Sequence, residues 1–206
     1  MERHAPAQMP NCTDDTRDDR KSWRMGGQPL RRAPGSASDT ETDPMMLSDG
    51  TLLEAEALLE ACRSRGIMLA TAESCTGGLI AAALTAIAGS SDVVDRGFVT
   101  YSNEAKHQMI GVPMPLIETH GAVSEQVAAA MADGALARSR AAIAVAVTGV
   151  AGPSGGSADK PVGLVWFGLA RADTPAITER QVFPGDRTAI RAATVDHAFK
   201  MIRAAL

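Results

Sequence analysis

Aromatic side chains are scarce in this chain, whose 206 residues include two Trp, one Tyr and four Phe. The hydrophobic fraction is nevertheless 45%, so the core has to be built mainly from Ala, Val, Leu, Ile and Met. Cysteine is scarce too, because Cys12, Cys62 and Cys75 are an odd number without a CxxC spacing. This pattern suggests neither a disulfide framework nor a zinc site, and it favours a reducing cytoplasm.

Positive charge and long apolar runs are also lacking. The formal net charge is −4, with 20 Lys and Arg against 24 Asp and Glu, so the chain has no basic footprint for a nucleic acid. No stretch reaches the roughly 18 apolar residues that span a bilayer, and the N-terminus lacks the apolar core of a signal peptide. We therefore expect a cytoplasmic protein without nucleic-acid or membrane partners.

Residues 1–45 differ in composition from the rest of the chain. They carry eight acidic and seven basic residues among scattered Pro, Gly and Ser, and they show no apolar periodicity. Such a composition is typical of a disordered segment. We predict a disordered N-terminal tail over residues 1–45 and one globular domain over residues 46–206.

The globular part shows alternating helix and strand patterns. A first helix is predicted after Ser48 or Asp49 and ends before Gly66. Next come a strand, a helix, a strand, two helices, a strand, an antiparallel strand pair and a final helix. Their predicted ranges are 67–72, 78–88, 93–101, 102–110, 124–136, 142–148, 162–170 with 177–183, and 187–204. This order predicts an α/β fold, a three-layer α/β/α sandwich with a mixed, mostly parallel sheet.

Polar turns follow three of the predicted strands, at Ser74, Tyr101 and Thr148. Because the carboxyl ends of parallel strands meet at one edge of a sheet, we expect these turns to lie together. A single such turn is explained as well by the preference of turns for Ser, Thr, Asn and Gly. Three of them together favour a functional site.

Ser74 is a candidate nucleophile, but a serine hydroxyl stays protonated at neutral pH and needs a neighbouring base to attack a carbonyl. Histidine is the usual base. The four histidines lie outside the polar turns, which disfavours a Ser-His-Asp triad. They are His4, His107, His120 and His197.

Lys106 is a better placed base, because it lies near the start of the helix that follows the second strand. A lysine acts as a base only if burial or nearby positive charge lowers its pKa well below about 10.4. Tyr101, the only tyrosine, would relay the proton or position the lysine. The alternative, a solvated Lys106 and a packing role for Tyr101, stays open on spacing alone.

Two neighbours of Ser74 also carry chemistry. Cys75 is a rival nucleophile, since a thiol at a helix N-terminus can have a lowered pKa, although a buried packing role is commoner. Glu73 would either orient a cation or cap a neighbouring backbone N–H. The sequence leaves both assignments open.

Glycine-rich segments supply backbone N–H donors that suit a phosphate or an oxyanion. One is Gly77 and Gly78 after Thr76, and the other is the loop over residues 148–156. Neither matches the GxxxxGK[ST] pattern of an NTP-binding loop. Arg187 and Arg191, four residues apart on one helix, would grip a phosphate, although solvation is the default for such a pair. No metal site is predicted, because metal ligands are not clustered in the sequence.

Six linked motifs then identify a resemblance. They are TAESCTGG at 71–78, GFVTYSNEAK at 97–106, GAVSE at 121–125, TGVAGPSGG at 148–156, KPVG at 160–163 and GDR at 185–187. Together they resemble the CinA C-terminal domain family, in the family's order and over about residues 50–205. Longer members carry an N-terminal nucleotide-processing domain, for which residues 1–45 are too few and too polar, so the chain looks like a stand-alone form.

The resemblance implies a nicotinamide-nucleotide amidase, which hydrolyses nicotinamide mononucleotide to nicotinic acid mononucleotide and ammonia. It implies a three-layer α/β/α fold, a homo-oligomer with a dimer favoured, and no metal or redox cofactor. In that family pattern Ser74 attacks the carboxamide, Lys106 takes the proton and Tyr101 assists. The residues that would hold the oxyanion, ribose or phosphate are Thr76, Asn103, Thr148, Gly149 and Arg187.

Two other functions stay open. One is a pyridine-nucleotide-binding or competence-related regulatory module that keeps the pocket without useful turnover. The other is an amidase for a different phosphorylated or ribosylated carboxamide. Release of ammonia from the nucleotide, compared with nicotinamide itself, distinguishes the three.

Overall fold

The computed structural model describes residues 47–206, so the tail predicted over residues 1–45 lies outside the described residues. Within that part the chain forms six α-helices and five strands. The first half contains α1 (Asp49–Arg63), β1 (Leu69–Glu73), α2 (Leu79–Thr85), β2 (Val94–Val99), α3 (Asn103–Ile110) and α4 (Met114–His120). The second half contains α5 (Glu125–Ala137), β3 (Ile143–Gly149), β4 (Leu164–Arg171), β5 (Thr174–Val182) and α6 (Arg187–Ala204).

The strands form one mixed sheet in the order β2-β1-β3-β4-β5. β1 pairs in parallel with β2 and with β3, whereas β3–β4 and β4–β5 are antiparallel pairs. Only β4 therefore runs against the other four strands. The carboxyl ends of β1, β2 and β3 meet at one edge, as the three polar turns predicted.

The two faces of the sheet carry side chains of different size. Successive strand residues point to opposite faces of the sheet. Ile and Val alternate with Ala from Ile143 to Val147, so the larger side chains lie on one face and the alanines on the other. The large face packs against α1, α2 and α6; its strand residues include Leu69, Ile143, Val145, Val147 and Phe167. The small face packs against α3, α4 and α5; its strand residues include Ala70, Ala72, Ala144, Ala146 and Ala170. This arrangement confirms the three-layer α/β/α fold.

Small residues bring α5 close to the sheet and to α3. An added Cβ at Gly168 of β4 would collide with the backbone carbonyl of Ala128 in α5. An added Cβ at Gly134, inside α5, would collide with the carbonyl of Ile110 at the end of α3. The scarcity of aromatic residues is thus compatible with a dense core, because close backbone approach replaces side-chain volume.

The sequence interpretation missed one helix, α4. It took Gly111 to Pro113 only as a stop for α3, but Pro113 is also the N-cap of α4, and Pro115 lies in the first turn of α4, where proline is favoured. The other elements occur where they were predicted, with ends shifted by a few residues. None of the helices in residues 47–206 has the length and apolar character required to cross a bilayer.

Candidate active site

A cavity of about 240 Å³ lies at the edge where β1, β2 and β3 end. Seven of the ten predicted site residues line it: Ser74, Tyr101, Asn103, Lys106, Thr148, Gly149 and Arg187. Four further lining residues are Cys75, Ala122, Val123 and Ala151. The three distant turns of the sequence therefore form one site.

Ser74 is the first residue after β1 and is half-buried. Its N–H donates to the carbonyl of Val147 at 3.0 Å, which extends the pairing of β1 with β3 by one residue. Its carbonyl accepts from the N–H of Gly77 at 3.1 Å. The backbone of Ser74 is thus held on both sides while its side chain faces the cavity.

Lys106 is buried beside Ser74 with a side chain only 1% exposed. Helix α3 positions it, because the Ser102 hydroxyl caps that helix by accepting from the N–H of Ala105 at 3.0 Å. The Nζ atom of Lys106 lies 3.0 Å from Oγ of Ser74 and 2.9 Å from the carbonyl oxygen of Thr100. The structure therefore rules out a solvated surface lysine.

Burial also sets the acid strength of Lys106. Removal of the ammonium from water lowers the pKa of Lys106 below its ordinary value of 10.5. The Thr100 carbonyl can only accept a hydrogen bond, so it takes one N–H of the amine. A neutral amine held in this way retains a lone pair that can receive the proton of the Ser74 hydroxyl.

Cys75 has the opposite character, although it also lines the cavity. Burial, with a further contribution from the negative charge of Glu73, raises the pKa of the Cys75 thiol to about 12. A thiol in that state is almost wholly protonated at neutral pH and reacts slowly. Between the two candidate nucleophiles, the burial of the Cys75 thiol therefore favours Ser74.

Thr76, Gly77 and Gly78 lie outside the cavity lining. The Thr76 hydroxyl and the Gly78 N–H both donate to the Glu73 carboxylate, at 2.7 and 3.1 Å, and the Gly77 N–H donates to Ser74. Gly78 begins α2 with a φ of 98°, which favours glycine. The donors expected for an anion are used inside the turn, and Glu73 caps α2 instead of orienting a cation.

The outer rim of the cavity contains Tyr101, Asn103 and Arg187. Tyr101 is 62% exposed, and its hydroxyl accepts from the Arg187 guanidinium at 3.2 Å. Arg187 also donates to the carbonyl of Gly152 at 2.8 Å. Arg191 donates to the Thr76 carbonyl at 2.6 Å. The two arginines expected to bind a phosphate together therefore lie apart, Arg187 on the rim and Arg191 against the turn after β1.

Thr148 and Gly149 end β3 beneath the cavity. The Thr148 hydroxyl donates to the Ala122 carbonyl at 2.8 Å and so ties β3 to the segment before α5. An added Cβ at Gly149 would come within 2.6 Å of the Leu164 carbonyl oxygen, so the close approach of β4 requires glycine here. Both residues shape the wall of the cavity.

The sequence interpretation disfavoured histidine as the base for Ser74. In agreement, no histidine of residues 47–206 lines the cavity. His107 bonds the Val112 carbonyl at 3.0 Å and His197 bonds Glu179 at 2.8 Å, while His120 is also absent from the cavity lining. Sequence reasoning missed the Thr100 carbonyl, because a backbone oxygen leaves no mark on residue type. The position of Thr100 directly after β2, at the edge where the site was expected, was the one indication in the sequence.

Comparison with known proteins identifies the family of the chain. The family described as CinA C-terminal domain matches residues 53–206. The chain belongs to the CinA C-terminal domain family. Nicotinamide-nucleotide amidohydrolase PncC of Escherichia coli strain K12 is 50% identical over 157 residues, which cover 76% of this chain and 95% of that protein.

Two further known proteins are similar to this chain. Nicotinamide-nucleotide amidohydrolase PncC of Enterobacter agglomerans is 57% identical over 131 residues, covering 64% of this chain and 80% of that protein. The crystal structure of competence/damage inducible protein CihA from Agrobacterium tumefaciens has a TM-score of 0.75 and 52% identity, covering 77% of this chain and 96% of that one. Within the family, the chain is an amidohydrolase.

Proposed function

We propose that this protein hydrolyses nicotinamide mononucleotide to nicotinic acid mononucleotide and ammonia, with Ser74 as nucleophile and Lys106 as base. The observation that carries the proposal is the buried Lys106 amine, 3.0 Å from the Ser74 hydroxyl. The names of the two PncC relatives support the substrate. The lowered pKa of Lys106 supports its part in proton transfer.

Acylation begins when Oγ of Ser74 attacks the carboxamide carbon and its proton passes to the neutral Nζ of Lys106. The carbon becomes tetrahedral and its oxygen takes up negative charge. When the intermediate collapses, Lys106 returns the proton to the leaving nitrogen, and ammonia departs. The nicotinoyl group is then held as an ester on Ser74.

Deacylation repeats the sequence with water. Lys106 is neutral again after protonating the leaving group, so it can take a proton from the attacking water. The second tetrahedral intermediate expels Oγ of Ser74, which recovers its proton from Lys106. The product is the nicotinic acid nucleotide, and one water has been consumed per ammonia released.

The rest of the cavity is proposed to recognise the nucleotide. Its inner part, with Thr148 and Gly149, would hold the pyridine carboxamide against Ser74. Asn103 and Arg187 on the rim would meet the ribose and the phosphate. Arg187 has five N–H donors, and its bonds to Tyr101 and Gly152 leave others for a phosphate. Tyr101 would then assist by holding Arg187.

The setting of the reaction belongs to the same proposal. Residues 46–206 would form the catalytic domain, acting as a homodimer in the cytoplasm on this small molecule, with no metal or redox cofactor in the reaction. The family resemblance supports these points, and a molar mass measured by light scattering would test the dimer.

Ammonia release from nicotinamide mononucleotide tests the proposed function. We expect Ser74→Ala to lower kcat by at least about 10³-fold, because the nucleophile is lost. Cys75→Ala is the matched neighbouring control and should stay within about threefold of the wild type, because its thiol stays protonated. The reverse pattern would make Cys75 the nucleophile.

Substrate range is tested in the same assay. Faster release from the nucleotide than from nicotinamide or its riboside supports recognition of the phosphate. A preference for another carboxamide would contradict the proposed substrate but retain an amidase. Tight binding of the nucleotide without ammonia would instead favour the regulatory module.

A further inference from the structure

Two charged residues beside Ser74 are buried, and the proposed mechanism uses only one of them. Lys106 and Glu73 are each 1% exposed. Glu73 directly precedes Ser74 at the end of β1, and its backbone carbonyl accepts from the N–H of Thr100 at 2.8 Å. Glu73 therefore touches both the strand that carries the nucleophile and the segment whose carbonyl holds Lys106.

The Glu73 carboxylate accepts five hydrogen bonds, one from Thr71 within β1 and four from the turn and helix that follow Glu73. Oε1 accepts from the Thr71 hydroxyl at 3.1 Å and the Ala81 N–H at 2.8 Å. Oε2 accepts from the Thr76 hydroxyl at 2.7 Å, the Gly78 N–H at 3.1 Å and the Ile80 N–H at 2.9 Å. The side chain thus joins the last residue of β1 to the first turn of α2, and it encloses residues 74–78.

This cap differs from an ordinary one. A usual N-cap side chain bonds an N–H two or three residues ahead of it, whereas Glu73 reaches residues five to eight positions ahead. The segment from Ser74 to Gly78 consequently becomes a closed loop with both ends fixed. Ser74 is the first residue of that loop, so its backbone direction depends on the position of α2.

The five donors require two accepting oxygens. A glutamine at this position would place its NH₂ group against a backbone N–H in either orientation. Turned one way, the NH₂ meets Ala81, and turned the other way it meets Gly78 and Ile80. At least one backbone N–H would then have no acceptor, which costs about 1–3 kcal/mol in a buried place.

We propose that Glu73 is a positioning residue for the hydrolysis: its carboxylate clamps α2 onto the turn and so aims Oγ of Ser74 at Nζ of Lys106. This inference rests on the proposed function. The clamp also occupies the donors at the start of α2, which assigns recognition of the substrate phosphate to the rim and not to that helix end.

Steady-state kinetics of Glu73→Gln with nicotinamide mononucleotide test the clamp. We expect kcat to fall about 10²-fold with KM within about twofold, because a misplacement near 1 Å is enough for such a loss. The pH at which kcat/KM rises should stay at its wild-type position, since Lys106 keeps its burial. Glu73→Asp, which shortens the clamp but keeps two accepting oxygens, should recover part of kcat.

The control for lost stability is Thr51→Ala. Thr51 is buried away from the cavity and donates to Asp196 at 2.9 Å, so its loss destabilises the fold without touching the site. Wild-type kcat in Glu73→Gln would overturn the inference. The inference would also be overturned if the loss of activity in Glu73→Gln matched its unfolded fraction alone, with the relation between the two calibrated on Thr51→Ala.

Labelling of Ser74 by a fluorophosphonate, followed by intact mass, tests the clamp without the nucleotide. Oγ bonds phosphorus, fluoride leaves, and Lys106 takes the hydroxyl proton. We expect slower labelling in Glu73→Gln than in the wild type. Wild-type labelling without ammonia release would refute the proposed function alone, and equal labelling of both proteins would refute the clamp. A wild type that shows neither reaction would refute both.

Discussion

The inner wall and the outer rim of the cavity differ in burial and in the partners of their charges. On the inner wall Lys106 is 1% exposed and is held by a serine hydroxyl and a backbone carbonyl. On the rim Tyr101 is 62% exposed and bonds an exposed arginine, Arg187. Water is largely excluded from one charge and available to the other.

This difference divides the chemistry from the recognition. An ionisable group buried away from water has a shifted pKa, and its hydrogen-bond partners fix its orientation. Both properties suit proton transfer. A hydrated guanidinium keeps its charge at every working pH and suits a mobile phosphate. Substitutions on the inner wall should therefore act on kcat, and substitutions on the rim should act on KM.

The largest effect is expected at the inner wall, from Lys106. Lys106→Met removes the base, and Lys106→Arg carries a permanent positive charge and cannot accept the Ser74 proton. Both should lower kcat by about 10²- to 10⁴-fold, as measured by ammonia release. In the wild type, kcat/KM should rise with pH as Lys106 loses its proton, with a midpoint below 10.5 because burial lowers its pKa.

Lys200→Met is the matched control for the removal of a lysine, because Lys200 is exposed on α6. It should leave both kcat and the pH profile unchanged. An active Lys106→Arg enzyme would show that the residue acts through its positive charge and not as a base.

A smaller effect is expected at the rim. Arg187→Gln should raise KM for nicotinamide mononucleotide by about 10- to 100-fold with little change in kcat, because a charged hydrogen bond to the phosphate is lost. The riboside, which has no phosphate, should show no such change. Tyr101→Phe should act in the same direction but more weakly, since it only releases Arg187.

The control for the rim is Arg203→Gln, which removes an exposed arginine that pairs with Glu54 at 3.0 Å outside the cavity. A fall in kcat for both substrates in Arg187→Gln would break the division between wall and rim. The arginine would then belong to the chemistry.

The sequence was sufficient to place Ser74, Lys106 and the third turn at one edge of the sheet. Strand ends and helix caps are local signals, and the Ser102 cap fixes where Lys106 lies along α3. The burial of Lys106 was beyond reach, because it depends on how α3 packs on the sheet. Backbone partners such as the Thr100 carbonyl were missed for another reason, because a backbone oxygen leaves no mark on residue type.

Two local patterns had more than one structural solution. The donors of Gly77 and Gly78 looked available for an anion, but Glu73 lies close enough to accept from this turn. Pro113 looked like a terminator, yet it is also the N-cap of α4, whose first turn contains Pro115. For the glycines, the choice was made by the hydrogen bond from the Gly78 N–H to Glu73, five residues earlier.

The smallest expected effect is on stability, and it tests whether the inner wall differs from the rim in disfavouring a charge. Folding lowers the pKa of Lys106, so the unfolded chain binds more protons between that pKa and 10.5, and wild-type stability rises with pH across this window. Lys106→Met has no such charge to bury and should be more stable near neutral pH by about 1 kcal/mol. Its advantage should shrink as the pH approaches 10.5, as measured by urea unfolding at several pH values. A stability difference that stays constant or grows with pH would show that the fold does not disfavour the charged form of Lys106. The inner wall would then not differ from the rim in this respect.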